Sequence, residues 1–292
     1  MNRIPAKTAA IHDLSGIGRC SLTVILPILS AMGVQACPIP TAVLSAHTGG
    51  FGDMAMRDLT DYIPSALEHY KSLNSRFDCV YSGYLASARQ VDYCLDFFSA
   101  NPAALKVADP VMGDNGAPYR MHTPELCKRM KELANAADII TPNITEAAML
   151  LDENPLQPDL SSEKMKEFLL RLAEQGAGSV VITSVFGEGK HYNICYEKAI
   201  GKFSRVPYTH IDKCFPGTGD IFTSVLVGSI LNGVALPSAL SRAAAFLEAA
   251  ISSTCALLPD NACLTETREG IIFENCLEQL FSDTGLYDYE EF

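Results

Sequence analysis

Short runs of apolar and β-forming residues alternate along the chain with longer segments whose apolar positions recur at helical spacing. The short runs are TAAIH, VQACPIPTAVL, DCVYSG, LKVADP, DIIT and SVVITS. The helical stretches between and after them fall at 20–32, 53–72, 87–99, 123–135, 144–151 and 161–175. Strands alternating with helices predict an α/β fold, a three-layer α/β/α sandwich whose central sheet is mostly parallel and covered on both faces. YNICYE and IGKFSRV follow with no helix between them and predict an antiparallel hairpin added to that sheet. Three apolar helical stretches come last, at about 219–232, 236–257 and 269–281. All are too short, or too interrupted by Asn, Pro, Arg and Glu, to span a bilayer. The segment 152–162 reads as a loop, and the acidic end DYEEF as a frayed tail.

Composition narrows the classes of function. At 292 residues, with 48% hydrophobic and 19% charged, the chain suits a single large α/β domain over 1–292. A formal charge of -12 with no Lys/Arg cluster excludes nucleic acid and anionic membrane as main partners, since those are gripped through clustered cations. Ten cysteines without a C-x-x-C spacing read as buried small hydrophobes. The opening MNRIPAKTAAIHD lacks the apolar run of a signal peptide, so a cytoplasmic location is expected.

In open sheets of this kind ligands bind beyond the carboxyl ends of the strands, and four of the loops there carry unusual residues. In FPGTGDIF, Gly217 and Gly219 let the backbone approach a ligand, while the helix starting near Asp220 aims unpaired N–H groups at the same point. That combination makes an anion hole, with Asp220 placed to accept the proton of an attacking hydroxyl. A structural reading makes Thr218 a helix cap and Asp220 a first-turn acid. Asn143 and Glu146 have capping-box spacing, and the same spacing suits an amide and a carboxylate facing a metal hydration shell. Asp109 and Asp114 bracket a turn in ADPVMGDNG, where a solvated turn and a metal- or phosphate-proximal role both fit. HDLSGIGRCS matches a G-x-G-x-x-G fingerprint only in part, because Ser21 replaces the last glycine, and no G-x-x-x-x-G-K-S/T loop is present.

Pro216–Asp220, Thr141–Glu146, Asp109–Asp114 and Ser45–Gly49, in this order, resemble the ribokinase superfamily, and within it the kinases of pyridoxal and of hydroxymethylpyrimidine. The resemblance covers about residues 8 to 260. It implies that Gly217, Thr218 and Gly219 cradle the transferring phosphoryl group and that Asp220 is the catalytic base. It further implies Mg²⁺ organised through Asp109 and Glu146, and ATP contacts from Asp109, Asp114, Tyr119, Thr141, Asn143, Thr183 and Ser184. Substrate contacts would come from Asp13, Ser45, His47, Thr48, Tyr84 and Phe215. A K⁺ requirement and a homodimer are further implications of the family.

These features lead to an expected function: ATP-dependent phosphorylation of the hydroxymethyl group of a B6 vitamer. The Asp13-Leu-Ser-Gly-Ile-Gly18 run is closer to hydroxymethylpyrimidine kinases, whereas Tyr84 and Asp220 favour a pyridoxal kinase. Hydroxymethylpyrimidine kinase is therefore the nearest alternative. A sugar kinase would carry an early β lid, where residues 13–35 read as loop and helix. A non-catalytic vitamin or nucleotide sensor on the same scaffold would need its base or anion hole spoiled.

Overall fold

The computed structural model describes residues 4–120, 123–154, 159–259, 267–281 and 288–292. In chain order the first half comprises β1 (Lys7–Ile17), α1 (Leu22–Ala31), β2 (Gln35–Ala46), β3 (Met56–Asp58), α2 (Ile63–Ser72), β4 (Cys79–Ser82), α3 (Ala88–Ala100), β5 (Leu105–Ala108), β6 (Gly113–Asp114), β7 (Ala117–Pro118) and α4 (Pro124–Asn135). The second half comprises β8 (Ile139–Ile140), α5 (Ile144–Leu150), α6 (Ser162–Gln175), β9 (Ser179–Gly187), β10 (Lys190–Glu197), β11 (Lys202–Tyr208), α7 (Thr218–Leu231), α8 (Leu236–Cys255), a 3₁₀ helix (Phe273–Leu280) and β12 (Glu290–Glu291).

Ten strands form one sheet in the order β12-β11-β10-β9-β8-β5-β4-β1-β2-β3. The run from β2 to β9 is parallel, and β3, β10, β11 and β12 pair antiparallel at the two edges. Side chains alternate between two buried layers, as strands covered on both faces require. Ile11, Val80 and Ile182 face α2 to α6, while Ala10, Tyr81 and Val181 face α1, α7 and α8. Helix α7 is apolar nearly all round because it is buried between α1 and α8.

The order of elements follows the sequence pattern, including the β10–β11 hairpin, but four local expectations are corrected. Residues 13–17 are strand and not loop: β1 continues past Asp13 alongside β2, with a register irregularity between His12 and Leu14. Such irregularities re-aim side chains near functional sites. Helix α2 begins only at Ile63, because Met56–Asp58 pairs with β2. The stretch predicted at 269–281 contains a 3₁₀ helix in place of an α-helix. The acidic end is paired with β11, where Glu290 accepts from Arg205 at 2.8 Å and Glu291 from Lys202 at 2.6 Å. Part of the predicted 152–162 loop, residues 155–158, lies outside the described residues, as does Cys263. No helix among the described residues is long and apolar enough to cross a membrane.

Candidate active site

The turn before α7 is built around one position that only glycine fits. Gly217 is the N-cap residue at φ +81, and a Cβ there would lie 2.1 Å from the Arg19 carbonyl oxygen. Left-handed backbone and close approach of another chain segment both require the missing side chain. Gly219 differs: its φ is ordinary, and the nearest atom to a built Cβ is Asp109 Oδ2 at 3.7 Å. Its bareness keeps open the space between the helix start and Asp109. Because Gly217 is the N-cap, Thr218 does not cap α7, which begins without a side-chain cap.

Asp220, in the first turn of α7, is only 7% exposed and is held at both oxygens. Oδ2 accepts from the Ser21 backbone N–H at 2.7 Å and from the Cys20 thiol at 3.4 Å. Burial, with Asp220 and Asp13 nearby, pushes the Cys20 thiol well above its ordinary range, so it remains a donor. Oδ1 lies 3.0 Å from His12 Nε2, and His12 Nδ1 lies 2.9 Å from Asp13 Oδ1. Asp13 also accepts from Ser15 Oγ at 2.9 Å and from Ser21 Oγ. Burial by itself would lower the His12 pKa, but the Asp220 charge and hydrogen bonds to both carboxylates outweigh it and raise it to about 10. Burial acts to raise Asp13, yet its bonds to His12, Ser21 and Ser15 and the His12 charge bring it below its ordinary value. An imidazolium thus bridges two buried carboxylates. His12 was not singled out from the sequence, where it is one residue before Asp13 and carries no motif of its own.

Across Gly219, Asp109 follows β5 and is buried, with its carboxyl raised to about 7 by desolvation and by the Asp220 charge. Glu146 is buried as well, and burial together with Asp109 pushes it well above the usual carboxylate range. It accepts backbone N–H bonds from Asn143 at 2.9 Å, Met112 at 2.8 Å and Gly113 at 3.5 Å. Asn143 Oδ1 accepts from the Glu146 N–H at 2.9 Å, completing a capping box, and Asn143 Nδ2 donates to the Gly113 carbonyl at 2.8 Å. The cap therefore also pins the turn that follows Asp109. Thr141 is buried at the end of β8, and its hydroxyl accepts from Thr223 of α7 at 3.0 Å.

The sequence pattern of the phosphomethylpyrimidine kinase family matches residues 26–263. The chain belongs to that family. It is therefore a phosphotransferase with an alcohol group as acceptor, on a ribokinase-like α/β fold. A candidate phosphomethylpyrimidine kinase from Bacteroides thetaiotaomicron is 42% identical and superposes with a TM-score of 0.92 over 100% of this chain and 99% of its own. An orthorhombic form of that protein contains pyridoxal. Pyridoxal kinase from Lactobacillus plantarum is 29% identical, with a TM-score of 0.84 over 95% of this chain and 97% of its own. Hydroxymethylpyrimidine/phosphomethylpyrimidine kinase from Haemophilus influenzae is 28% identical over 75% of this chain and 81% of its own. The family match begins after His12, Asp13 and Ser21, so it does not cover the charged chain that holds Asp220.

The other residues expected at the site of this kinase are spread around the same sheet edge. Thr183 lies midway along β9, which runs on to Gly187; it bridges to Asn143, and its N–H bonds the Pro142 carbonyl at 3.0 Å. Ser184 beside it is exposed at φ 60. Asp114 and Tyr119 are exposed at the β6–β7 hairpin, which turns through Asn115 and Gly116, both at positive φ. Tyr84 is half-buried just after β4, and Phe215 is buried before the glycine turn. Ser45 Oγ accepts from the Ala55 N–H at 3.0 Å, and Thr48 is exposed. Both His47 ring nitrogens are engaged: Nδ1 accepts from the Gly49 N–H at 3.0 Å, so Nε2 donates to the Arg268 carbonyl at 2.5 Å. His47 thus ties its loop to the segment around Arg268 through backbone groups.

Proposed function

We propose that the chain, acting as one cytoplasmic kinase domain, transfers the γ-phosphoryl group of ATP to the hydroxymethyl oxygen of a B6 vitamer. The observation that carries this reading is Asp220: a buried carboxylate in the first turn of an uncapped helix, immediately after a left-handed glycine. The acceptor hydroxyl gives its proton to Asp220 while its oxygen forms the new bond to phosphorus and the β–γ bridging oxygen leaves with ADP. The N–H groups at the start of α7 face the charge that develops on the transferring group. Gly217, Thr218 and Gly219 form that cradle. Asp13, Ser45, His47, Thr48, Tyr84 and Phe215 line the acceptor side; Asp114, Tyr119, Thr141, Asn143, Thr183 and Ser184 line the nucleotide side.

Asp109 and Glu146 suit Mg²⁺, because both are buried carboxyls raised by desolvation and by a neighbouring acid, Asp220 for Asp109 and Asp109 for Glu146, and a divalent cation relieves such a cluster. Bound there, Mg²⁺ would neutralise charge on the phosphates. A K⁺ requirement and a homodimer belong to the same proposal.

Support for a B6 vitamer over other alcohols comes from the 42% identical Bacteroides protein crystallised with pyridoxal, and from an aromatic residue, Tyr84, just beyond β4. Hydroxymethylpyrimidine is the second reading, supported by the family match and by Asp13 in the charged chain. Intact Asp220 and Gly217 speak against a silent sensor. The test is ADP release with ATP and Mg²⁺, with and without K⁺, offering pyridoxal, pyridoxamine, pyridoxine and hydroxymethylpyrimidine in parallel. Turnover led by a B6 vitamer is expected. Turnover confined to hydroxymethylpyrimidine would favour the second reading, and none with any acceptor would overturn both.

A further inference from the structure

We propose that His12 is a positioning residue of the phosphoryl transfer, clamping Asp220 and Asp13 to each other so that the base is held in one orientation relative to the acceptor side. The proposal rests on the assignment of Asp220 as the base. It starts from geometry. Asp220 is tied at Oδ2 by the Ser21 N–H at 2.7 Å and at Oδ1 by His12 at 3.0 Å, so neither oxygen can swing away without losing a charged or backbone partner. Ser21 holds this position at φ 59, a strained conformation for serine, and its hydroxyl simultaneously bonds Asp13. One residue thus grips both carboxylates from the α1 side, and His12 grips both from β1.

The space for the imidazole is made by the fold. A Cβ at Gly83, just after β4, would lie 2.0 Å from His12 Cδ2 and 2.1 Å from Nε2. The ring therefore fills the volume that any other residue at position 83 would need. The groups facing it are the Asp13 carboxylate and backbone N–H, the Tyr84 backbone N–H at 3.2 Å, Asp220 from α7 and, through its charge, Asp109, while Ser15, Cys20 and Ser21 bond the two carboxylates. Among the described residues, no Lys or Arg forms an ion pair with Asp13 or Asp220. A carboxylate oxygen lies against each ring nitrogen, Asp13 Oδ1 at 2.9 Å from Nδ1 and Asp220 Oδ1 at 3.0 Å from Nε2, and a backbone N–H stands beside each as well, Asp13 at 3.0 Å and Tyr84 at 3.2 Å. Two carboxylates outweigh burial and favour the charged ring, in which Nδ1 donates to Asp13 and Nε2 to Asp220 and one positive charge is shared by two negative ones in a nearly dry setting.

The consequence is mechanical. An orienting bond to a general base matters because misplacement by about 1 Å can cost on the order of 100-fold in rate. Through Asp13 the same clamp would couple the acceptor side to the base.

The experiment compares wild type with His12→Gln and His12→Asn, using steady-state kinetics across pH and ¹⁵N-histidine NMR of the intact protein. Expected are a fall in kcat of about 10- to 100-fold, KM for ATP within about twofold, and an acid limb of kcat/KM displaced to higher pH by about one unit or more. In wild type at pH 8.5, one of the six histidines should stay doubly protonated, and that signal should vanish in both variants. Variants with kcat and pH profile within about twofold of wild type would overturn the positioning role. A wild type with no imidazolium at pH 8.5 would overturn the clamp itself, even if a variant failed to fold. Wild-type turnover retained by Asp220→Asn, with the imidazolium signal present in the wild-type protein, would sink the base assignment while leaving the clamp.

Discussion

His12 Nε2 stands 3.0 Å from Asp220 Oδ1, joining the middle of β1 to the first turn of α7. The contact exists only because Gly83 leaves the ring its space. Gly83→Ala should therefore act at a distance from the base: the added carbon displaces the imidazole and frees Asp220 Oδ1. A kcat loss close to that of His12→Gln is expected, with a lowered melting temperature. Kinetics and melting of the two variants side by side check it.

Asp220→Asn removes the proton acceptor and keeps the volume. General-base contributions of about 10²- to 10⁴-fold set the expected fall in kcat, while KM for ATP should move little because the change is not in the nucleotide contacts. Steady-state ADP release decides this.

The two glycines before Asp220 should respond in opposite ways. Gly217→Ala meets a carbonyl oxygen at 2.1 Å in left-handed backbone, so stability should drop by about 2 kcal/mol or more. Gly219→Ala has ordinary backbone and 3.7 Å of clearance, and should leave stability within about 0.5 kcal/mol of wild type. Its kcat should nevertheless fall, because the methyl enters the proposed phosphate space. Urea melts paired with kinetics separate the two effects.

Asp109 gives a pH signature. Its folded pKa, raised to about 7, stands above the unfolded value of about 3.9, so the stability it contributes is present below pH 4 and lost as pH rises through 7. In metal-free protein, Asp109→Asn should flatten this decline and be the more stable form at pH 8, on the order of a few kcal/mol. His12 has the same sign at higher pH: its contribution is complete below about pH 6.5 and lost through about 10, so the deficit of His12→Gln should shrink over that span. Urea melts in chelator from pH 5 to 10 measure both.

Removing residues 288–292 should lower the melting temperature by a few degrees without changing kcat. The cut takes away the Arg205–Glu290 and Lys202–Glu291 pairs and the packing of Phe292 on Phe203 from a sheet edge remote from Asp220. Thermal melts and ADP release on the shortened chain check both halves.

Much of the fold could be read from periodicity because each parallel strand is apolar on both faces and each helix covers one of them. Asp220, Gly217, Asn143 and Glu146 could be read because tight turns and helix starts impose residue types within a few positions of one another. The extension of β1 through Asp13 could not, since its polar and glycine residues look like a loop until β2 lies beside them. Nor could the paired acidic end, whose order depends on Arg205 and Lys202 far back in the chain.

The sequence by itself determined the alternation of elements, the glycine turn that opens α7 and the carboxylate that follows it, because these depend on contacts between near neighbours. Tertiary structure alone decided that an unremarkable histidine in β1 would become the cation between Asp13 and Asp220. That outcome required the middle of one strand, a helix start and a bare glycine after a second strand to meet at one point, and local spacing carries no record of such a meeting.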